Sequence, residues 1–421
     1  MSAAKGTPHL WLPYCQMQKE GVPRRAKRTQ GTSIFLDDDT ELVDGIASWW
    51  TAAHGYNHPA IYKAVQEQLL KMPHVMFGGL LHDPAERLAE RLVSTTNGQM
   101  SRVFLSESGS VSVEIAMKMA VQVAQRRGMP SRKRFISFEG GYHGDTFAAM
   151  SLCDPADGMH THFSGAYAEQ YCLPLPRDEE TFAKFSKFVA LHSNEVAGII
   201  VEPFVQCAGG MLFHEADALQ RIEKVCREHQ ILFIVDEIAV GLYRLGSVWA
   251  HQIAQVEPDL LTTSKALTGG TMPLAATLAT EEVFEYFCSD DDRHALMHGP
   301  TFMANALGCA AACGSLDLFA ARKVVDNVDA ISAQLLSELA VCRLHAGVVD
   351  VRVKGAIGVV ELDNKDDLHW LRSRFIEEGV WIRPLENVVY LMPSLTITPV
   401  ALQKLTSAID VVLKERARNK Y

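Results

Sequence analysis

No CxxC pair, no HExxH motif, no apolar run long enough to cross a bilayer and no excess of positive charge occur in this sequence. Each absence closes off a class of function. The nine cysteines of the 421-residue chain are odd in number and scattered, which fits reduced thiols in a cytoplasmic protein and not a disulfide framework. The nearest pair, Cys309 and Cys313, falls in an alanine-rich segment of helical character, where packing is the simpler role. The 16 histidines form no compact ligand set, so no metal site is expected. Without a run of about 18 apolar residues no membrane span is expected. Met1–Gln16 also lacks the basic stretch and following apolar run of a secretory signal. The net charge of −10 argues against nonspecific nucleic-acid binding. The one basic run, Arg24, Arg25, Lys27 and Arg28, is short and reads as a solvated turn.

What the chain does have is a globular balance, 48% hydrophobic and 21% charged residues. Its length calls for two or three cores. Short apolar runs alternate with helical stretches. RVFLS (102–106) precedes a helix from about Val111 to Arg127, and RFISF (134–138), GIIVEP (198–203), ILFIVDE (231–237) and DLLTTSK (259–265) follow. Continuous Ile/Val/Leu runs mark strands covered on both faces, hence an α/β fold with a mainly parallel sheet. Other helices are read around Ile61, Val65 and Leu69, and from Pro84 through Leu88 and Leu92. Towards the C-terminus the pattern changes to hairpin-like pairs, 348–353 with 358–362 and 380–384 with 388–393. A closing helix starts near Pro399, with Leu402, Leu405, Ile409 and Val412 on one stripe. The expected organisation is an N-terminal segment (1–54) packing with a smaller α+β domain (315–421), and a large α/β domain between them (55–314).

The chemistry sits at strand ends, where open α/β folds bind ligands. Asp236 closes ILFIVD, and alone it would cap a turn. Lys265 closes the next run, and alone it would be a solvated charge. Together they are an amine and a carboxylate of the kind pyridoxal 5'-phosphate (PLP) needs: one to form a Schiff base, one to keep the pyridine nitrogen protonated so that the ring accepts electrons. Between a strand and a helix stands Ser106-Glu107-Ser108-Gly109-Ser110. It is an N-cap or, with hydroxyls and free helix N–H groups, a phosphate cradle. Gly140-Gly141-Tyr142-His143-Gly144-Asp145 also follows a strand; its tyrosine is structural or stacks on a flat ring. Arg383, after an apolar strand, suits a carboxylate or an ordinary ion pair. Trp49 and Trp50 are core residues if they lie in a strand, or walls of a long aliphatic or adenosyl site if they lie in a loop.

With these motifs in place, the chain resembles the class III aminotransferases of PLP fold type I over nearly its whole length. The resemblance is strongest in DGIASWWTAAHGYNHP (44–59), HVMFGG (74–79), SGSVSVEIAMKMA (108–120), GGYHGDTFAAMS (140–151), EPFVQCAGGM (202–211), SKALTGGTM (264–272), MHGPTFMAN (297–305) and GVWIRP (379–384). The tryptophan pair and MHGPTFM narrow it to the diaminopelargonate synthase branch of biotin synthesis, which aminates 8-amino-7-oxononanoate. That family has a sheet of the seven-stranded type.

The resemblance implies roles residue by residue. Lys265 carries the cofactor and moves the proton, Asp236 pairs with the pyridinium nitrogen, and Tyr142 stacks on the ring. Ser108, Gly109 and Ser110 hold the phosphate, and Thr301 helps from the neighbouring subunit of a homodimer, with Pro300 beside it. Glu202 and His143 lie near the cofactor. Tyr14, Trp49, Trp50, Asp145, Gly299, Arg383 and Tyr390 belong to the substrate site. S-adenosylmethionine is the implied amino donor. Some relatives use lysine, and Tyr14 favours the former. Two departures from the family stand out. Val240-Gly241-Leu242-Tyr243-Arg244-Leu245-Gly246 replaces a smaller Gly-Phe-Gly-Arg-Thr-Gly loop, and Cys207 stands where glycine is usual. An ω-amino-acid aminotransferase, and an inactive binding protein on the same fold, are the competing readings.

Overall fold

A computed structural model describes residues 9–18, 22–155, 161–163, 165–321 and 323–420 of the chain. The first half of the segment read for a secretory signal lies outside them. Near the N-terminus, β1 (Ala26–Gln30), β2 (Ser33–Leu36) and β3 (Glu41–Asp44) form an antiparallel meander. Half of the basic run, Lys27 and Arg28, therefore lies in a strand: Lys27 pairs with Asp39 at 3.0 Å, and the Arg28 guanidinium covers the Phe35 ring.

The central sheet contains β4 (Arg102–Ser106), β5 (Arg134–Phe138), β6 (Tyr171–Leu173) and β7 (Val196–Val201). A small ribbon of β8 (Val205–Gln206) and β9 (Leu212–Phe213) stands apart from it. The central sheet is completed by β10 (Leu232–Asp236), β11 (Leu260–Thr263) and β12 (Ala275–Ala279). Its seven strands run in the order β4-β12-β11-β10-β7-β5-β6. It is mainly parallel, as the continuous apolar runs imply. The exception is β12, antiparallel to both neighbours. The physical reason is chain length: Ser264–Leu274 is too short for the helical crossover that a parallel return requires.

Every residue of β7 and β10 is buried. Each fully buried Val, Leu or Ile contributes roughly 1.5–3 kcal/mol of transfer free energy, so these two strands anchor the platform that carries the site. Helices close both faces. In Asp83–Ser94, Pro84 stands in the first turn and Leu88 and Leu92 are buried. In Pro59–Lys71, Ile61 is buried but Leu69 is 53% exposed, so that stripe faces inward only in part.

Beyond the sheet, β13 (Val348–Lys354) and β14 (Ile357–Leu362) form an antiparallel hairpin around Gly355, whose φ is +55°. The second hairpin does not form. β15 (Val380–Trp381) pairs in parallel with β3, Val380 opposite Val43, while β16 (Val388–Leu391) joins β14. Packing decides this. Gly45, just past β3, lies so close to Leu391, Ile382 and Leu405 that a Cβ there would sit 2.8 Å from Leu391 Cδ2. The closing helix Pro399–Lys420 buries Leu402, Leu405, Ile409 and Val412. Among the described residues no helix is long and apolar enough to cross a membrane.

Candidate active site

Loops after β4, β5, β7, β10 and β11, at the carboxyl edge of the sheet, build one cavity together with Trp50. β10 delivers Asp236, 3% exposed, to its floor. Both carboxylate oxygens are held. Oδ2 accepts from His143 Nδ1 at 2.8 Å, and Oδ1 accepts from the Ile238 N–H at 3.1 Å and the Thr262 hydroxyl at 3.3 Å. Such bonds fix the orientation of the carboxylate. The loop after β11 delivers Lys265, whose burial pushes its amine below the usual lysine range. Its Nζ lies 4.7 Å from the centre of the Trp50 ring.

The third wall is the start of the helix Gly109–Arg126. Ser108 caps it, its hydroxyl accepting from the Val111 N–H at 3.3 Å. The first-turn N–H groups of a helix have no partner within it and attract anions. Gly109 makes a close approach here: a Cβ would meet Ile238 Cδ1 at 3.0 Å, and the isoleucine side chain would have to give way. Gly144 is likewise pressed on Ser110, with a Cβ position 2.8 Å from its Cα. A buried amine, a fixed carboxylate and a helix N-terminus thus face one space. That donor set matches PLP: an aldehyde for the amine, a pyridinium for the carboxylate, a phosphate for the helix start.

Behind the cavity Glu202 is 4% exposed. It accepts from the Tyr142 N–H and the Cys207 N–H, each at 3.0 Å. Burial, opposed by His143 and aided by Asp236, pushes its carboxyl up to about 7.

The outer part of the site is assembled from distant segments. Tyr142 and Tyr14 donate their hydroxyls to opposite oxygens of Asp145, Tyr142 at 2.9 Å. Burial and the bond to Asp145 push the Tyr14 hydroxyl up to about 12. Tyr14 meets Trp49 edge-on at 6.2 Å between centroids, and the Arg383 guanidinium lies 5.2 Å over the same Trp49 ring. Trp50, only 6% exposed, packs edge-on against the buried Tyr390. The two tryptophans occupy neither a strand nor an ordinary loop. Ala47, Ser48, Trp49 and Trp50 all have φ between +46° and +73°, a left-handed turn. Asp44 holds it by accepting from the Ile46 and Ser48 N–H groups at 2.9 and 2.8 Å. The result turns Trp50 into the core and leaves Trp49 41% exposed.

Gly299, Pro300 and Thr301 do not line the cavity of this chain. Gly299 and Thr301 are exposed, and the Thr301 carbonyl binds His74 Nε2 at 3.0 Å. Conversely, Ala208, Ile238, Ala239 and Ser264 line the cavity and were not singled out from sequence. Their signal is only adjacency: each stands within a few residues of Asp236, Lys265 or Glu202. In the altered loop Tyr243 packs on Phe319 at 5.3 Å, away from the cavity, and Arg244 is buried with Nη1 donating to the Pro393 carbonyl at 2.6 Å. Cys207 is fully buried, and burial raises its thiol well above the usual range.

Comparison with known proteins decides the family. Residues 14–413 match the model of aminotransferase class-III. The chain belongs to the class-III aminotransferases. This aminotransferase is 43% identical over 410 residues to the adenosylmethionine-8-amino-7-oxononanoate aminotransferase of Mycobacterium leprae, covering 95% of this chain and 94% of that one. It is 39% identical to the enzyme of the same name from Corynebacterium glutamicum, with 96% and 97% covered. Among solved structures, that aminotransferase from Methanocaldococcus jannaschii superposes with a TM-score of 0.92 at 31% identity, 97% of each chain being covered. A PLP-bound amine transaminase from an uncultivated Pseudomonas species superposes at 0.91 with 29% identity, covering 97% of this chain and 99% of that one. The aminotransferase is thus a PLP-dependent enzyme, in agreement with the donor set of its cavity.

Proposed function

We propose that this aminotransferase moves the amino group of S-adenosylmethionine to C7 of 8-amino-7-oxononanoate, giving 7,8-diaminononanoate and the 2-oxo acid of the donor, as a step of biotin synthesis. The observation that carries the reading is the Tyr14–Asp145–Tyr142 clamp, set beside Trp49 and Arg383 at the mouth of the cavity that holds Lys265. Relatives at 39–43% identity bear that activity in their name.

PLP, when bound, supplies an electron sink and a carrier for the amino group between the two substrates. The chain's own residues do the rest. Lys265 would hold the cofactor through Nζ. With its basicity lowered by burial, the Lys265 amine would take and return the proton that the transfer requires. Asp236, oriented by His143, Ile238 N–H and Thr262, holds the proton on the pyridine nitrogen. Gly109 and Ser110 present helix N–H groups to the phosphate, with Ser108 as the cap. Tyr142 would cover the ring, and its N–H bond to Glu202 fixes its backbone. Arg383 has no carboxylate partner of its own among the described residues and is free to bind the carboxylate of the oxononanoate. Trp49, Trp50 and Tyr390 wall the aliphatic chain, and Tyr14 with Asp145 receives the donor.

The active unit in this reading is a homodimer, with Gly299, Pro300 and Thr301 completing the site of the adjacent subunit. Exposed apolar side chains on neighbouring segments support an interface there: Leu70 is 85% exposed, Met297 77% and Phe302 61%. We place the enzyme in the cytoplasm; its nine cysteines are all free.

The test is a donor and acceptor screen with the cofactor-loaded enzyme. Turnover of the oxononanoate with S-adenosylmethionine, and little with lysine, is the expected result. Turnover of β-alanine or 4-aminobutyrate without the oxononanoate would instead identify an ω-amino-acid aminotransferase. No yellow lysine-bound cofactor at all would identify an inactive binding protein.

A further inference from the structure

Lys265 is held in a conformation that L-residues avoid. Its φ is +37°, a conformation that persists only where neighbours over-determine it. The neighbours are identifiable. Upstream, the Ser264 hydroxyl donates to the Leu274 carbonyl at 2.8 Å, and the Ser264 carbonyl accepts from the Leu267 N–H at 2.8 Å. Downstream, the Ala266 carbonyl accepts twice: from the Gly269 N–H at 3.0 Å and from the Ser315 hydroxyl at 3.2 Å.

Ser315 lies on a different element, the long helix Ala306–Ala321, and is fully buried. Its hydroxyl has one proton, and the Ala266 carbonyl takes it. The remaining lone pairs face His54 Nε2 at 3.0 Å. His54 is 5% exposed and its ring packs 4.2 Å from Phe319 of the same helix. The chain of donors is therefore His54 Nε2–H to Ser315 Oγ, and Ser315 O–H to the Ala266 carbonyl. It joins three parts of the sequence at the residue after the lysine. A serine in the interior of a helix otherwise returns its hydroxyl to its own backbone; here it serves another element.

We propose that His54 and Ser315 are positioning residues for Lys265: they pin the Ala266 peptide and so hold the strained turn that aims Nζ into the cavity. Neither residue lines the cavity, so both act through the backbone. The inference rests on the proposed role of Lys265 as cofactor anchor.

The experiment compares Ser315→Ala, His54→Leu and His54→Gln with the parent protein, the glutamine amide replacing the imidazole Nε2–H. Three quantities are read: thermal melting of the cofactor-free protein, the rate at which added PLP forms the yellow lysine-bound species, and the affinity for pyridoxamine phosphate, which fits the same cavity but makes no bond to lysine. Losing one buried hydrogen bond in the array should slow lysine capture by about three- to tenfold. In Ser315→Ala and His54→Leu that slowing is expected with pyridoxamine phosphate affinity unchanged, and kcat should fall while KM holds. His54→Gln should stay close to the parent. Equal losses for the two cofactor forms, or unchanged capture in variants that melt normally, would overturn the proposal. Failure of the parent protein itself to form the yellow species would instead remove the role of Lys265, a separate result.

Discussion

Lys265 Nζ sits 4.7 Å from the centroid of the Trp50 ring. A cation is attracted to an indole face, but burial of the amine works the other way and lowers its proton affinity. The ring therefore attracts the charged form while burial favours the neutral, nucleophilic one.

Replacing Lys265 tests both sides of this arrangement. Lys265→Met should lower kcat by at least about 10²–10⁴-fold, the usual worth of a positioned proton-transfer group, and abolish the yellow bound species. The same substitution should raise the melting temperature of the cofactor-free protein. The folded-state pKa lies below the unfolded one, so the burial penalty is full below the folded pKa and is relieved as pH rises from there to the ordinary lysine value of 10.5. Melting curves at pH 7 and pH 10 should therefore converge for the two proteins.

Glu202 predicts a pH dependence of opposite slope. Its carboxyl titrates near 7 when folded against an ordinary value of 4.5. Between these values the folded state binds the extra proton, so stability falls as pH rises through the window. In Glu202→Gln that part of the decline should disappear. Denaturant unfolding of both proteins without cofactor at pH 5 and pH 8 checks it; parallel changes would show that Glu202 is not the group.

Substrate selectivity should divide between Arg383 and Tyr14. Arg383→Ala removes a charge-assisted pair of about 1.5–3 kcal/mol, so KM for the oxononanoate should rise by roughly 10- to 100-fold, with little change for S-adenosylmethionine. Tyr14→Phe removes the hydroxyl that reaches Asp145 and should weaken use of S-adenosylmethionine more than use of the oxononanoate. Steady-state kinetics with each substrate varied in turn separates the two.

The proposed dimer makes a prediction from mixing. Chains carrying Lys265→Ala and chains carrying Gly299→Asp each spoil a different half of a shared site. Statistical exchange then leaves intact sites at about a quarter of the parent level. Activity regained on mixing two near-inactive proteins, with a dimer mass by sedimentation, is the expected outcome. No regain after demonstrated exchange would place each site within one chain.

Much of the site was legible from the residues because its parts lie where parallel strands end. Asp236, Lys265 and Ser108–Ser110 follow continuous apolar runs, and a sheet covered on both faces must bring its strand ends to one edge. The turn of β12 was not legible, since a buried run reads the same in either direction. The second hairpin failed for a related reason: β15 found a partner in β3, some 340 positions away in sequence, and short-range pattern carries no sign of that. The loop 240–246 looked disruptive by residue size, yet Tyr243 points to Phe319 and leaves the cavity alone.

The alternation of strands and helices, the order of the chemical groups and, through the motifs, the family can all be read from the residues alone. These are properties of local composition and spacing. Long-range packing alone sets Trp49 and Trp50 apart on a left-handed turn, brings Tyr14 to Asp145, and joins His54 and Ser315 to the peptide after Lys265. Each of these is a contact between segments far apart in the chain. Such contacts are fixed by packing that pays the backbone's conformational cost, which no short window of residues records.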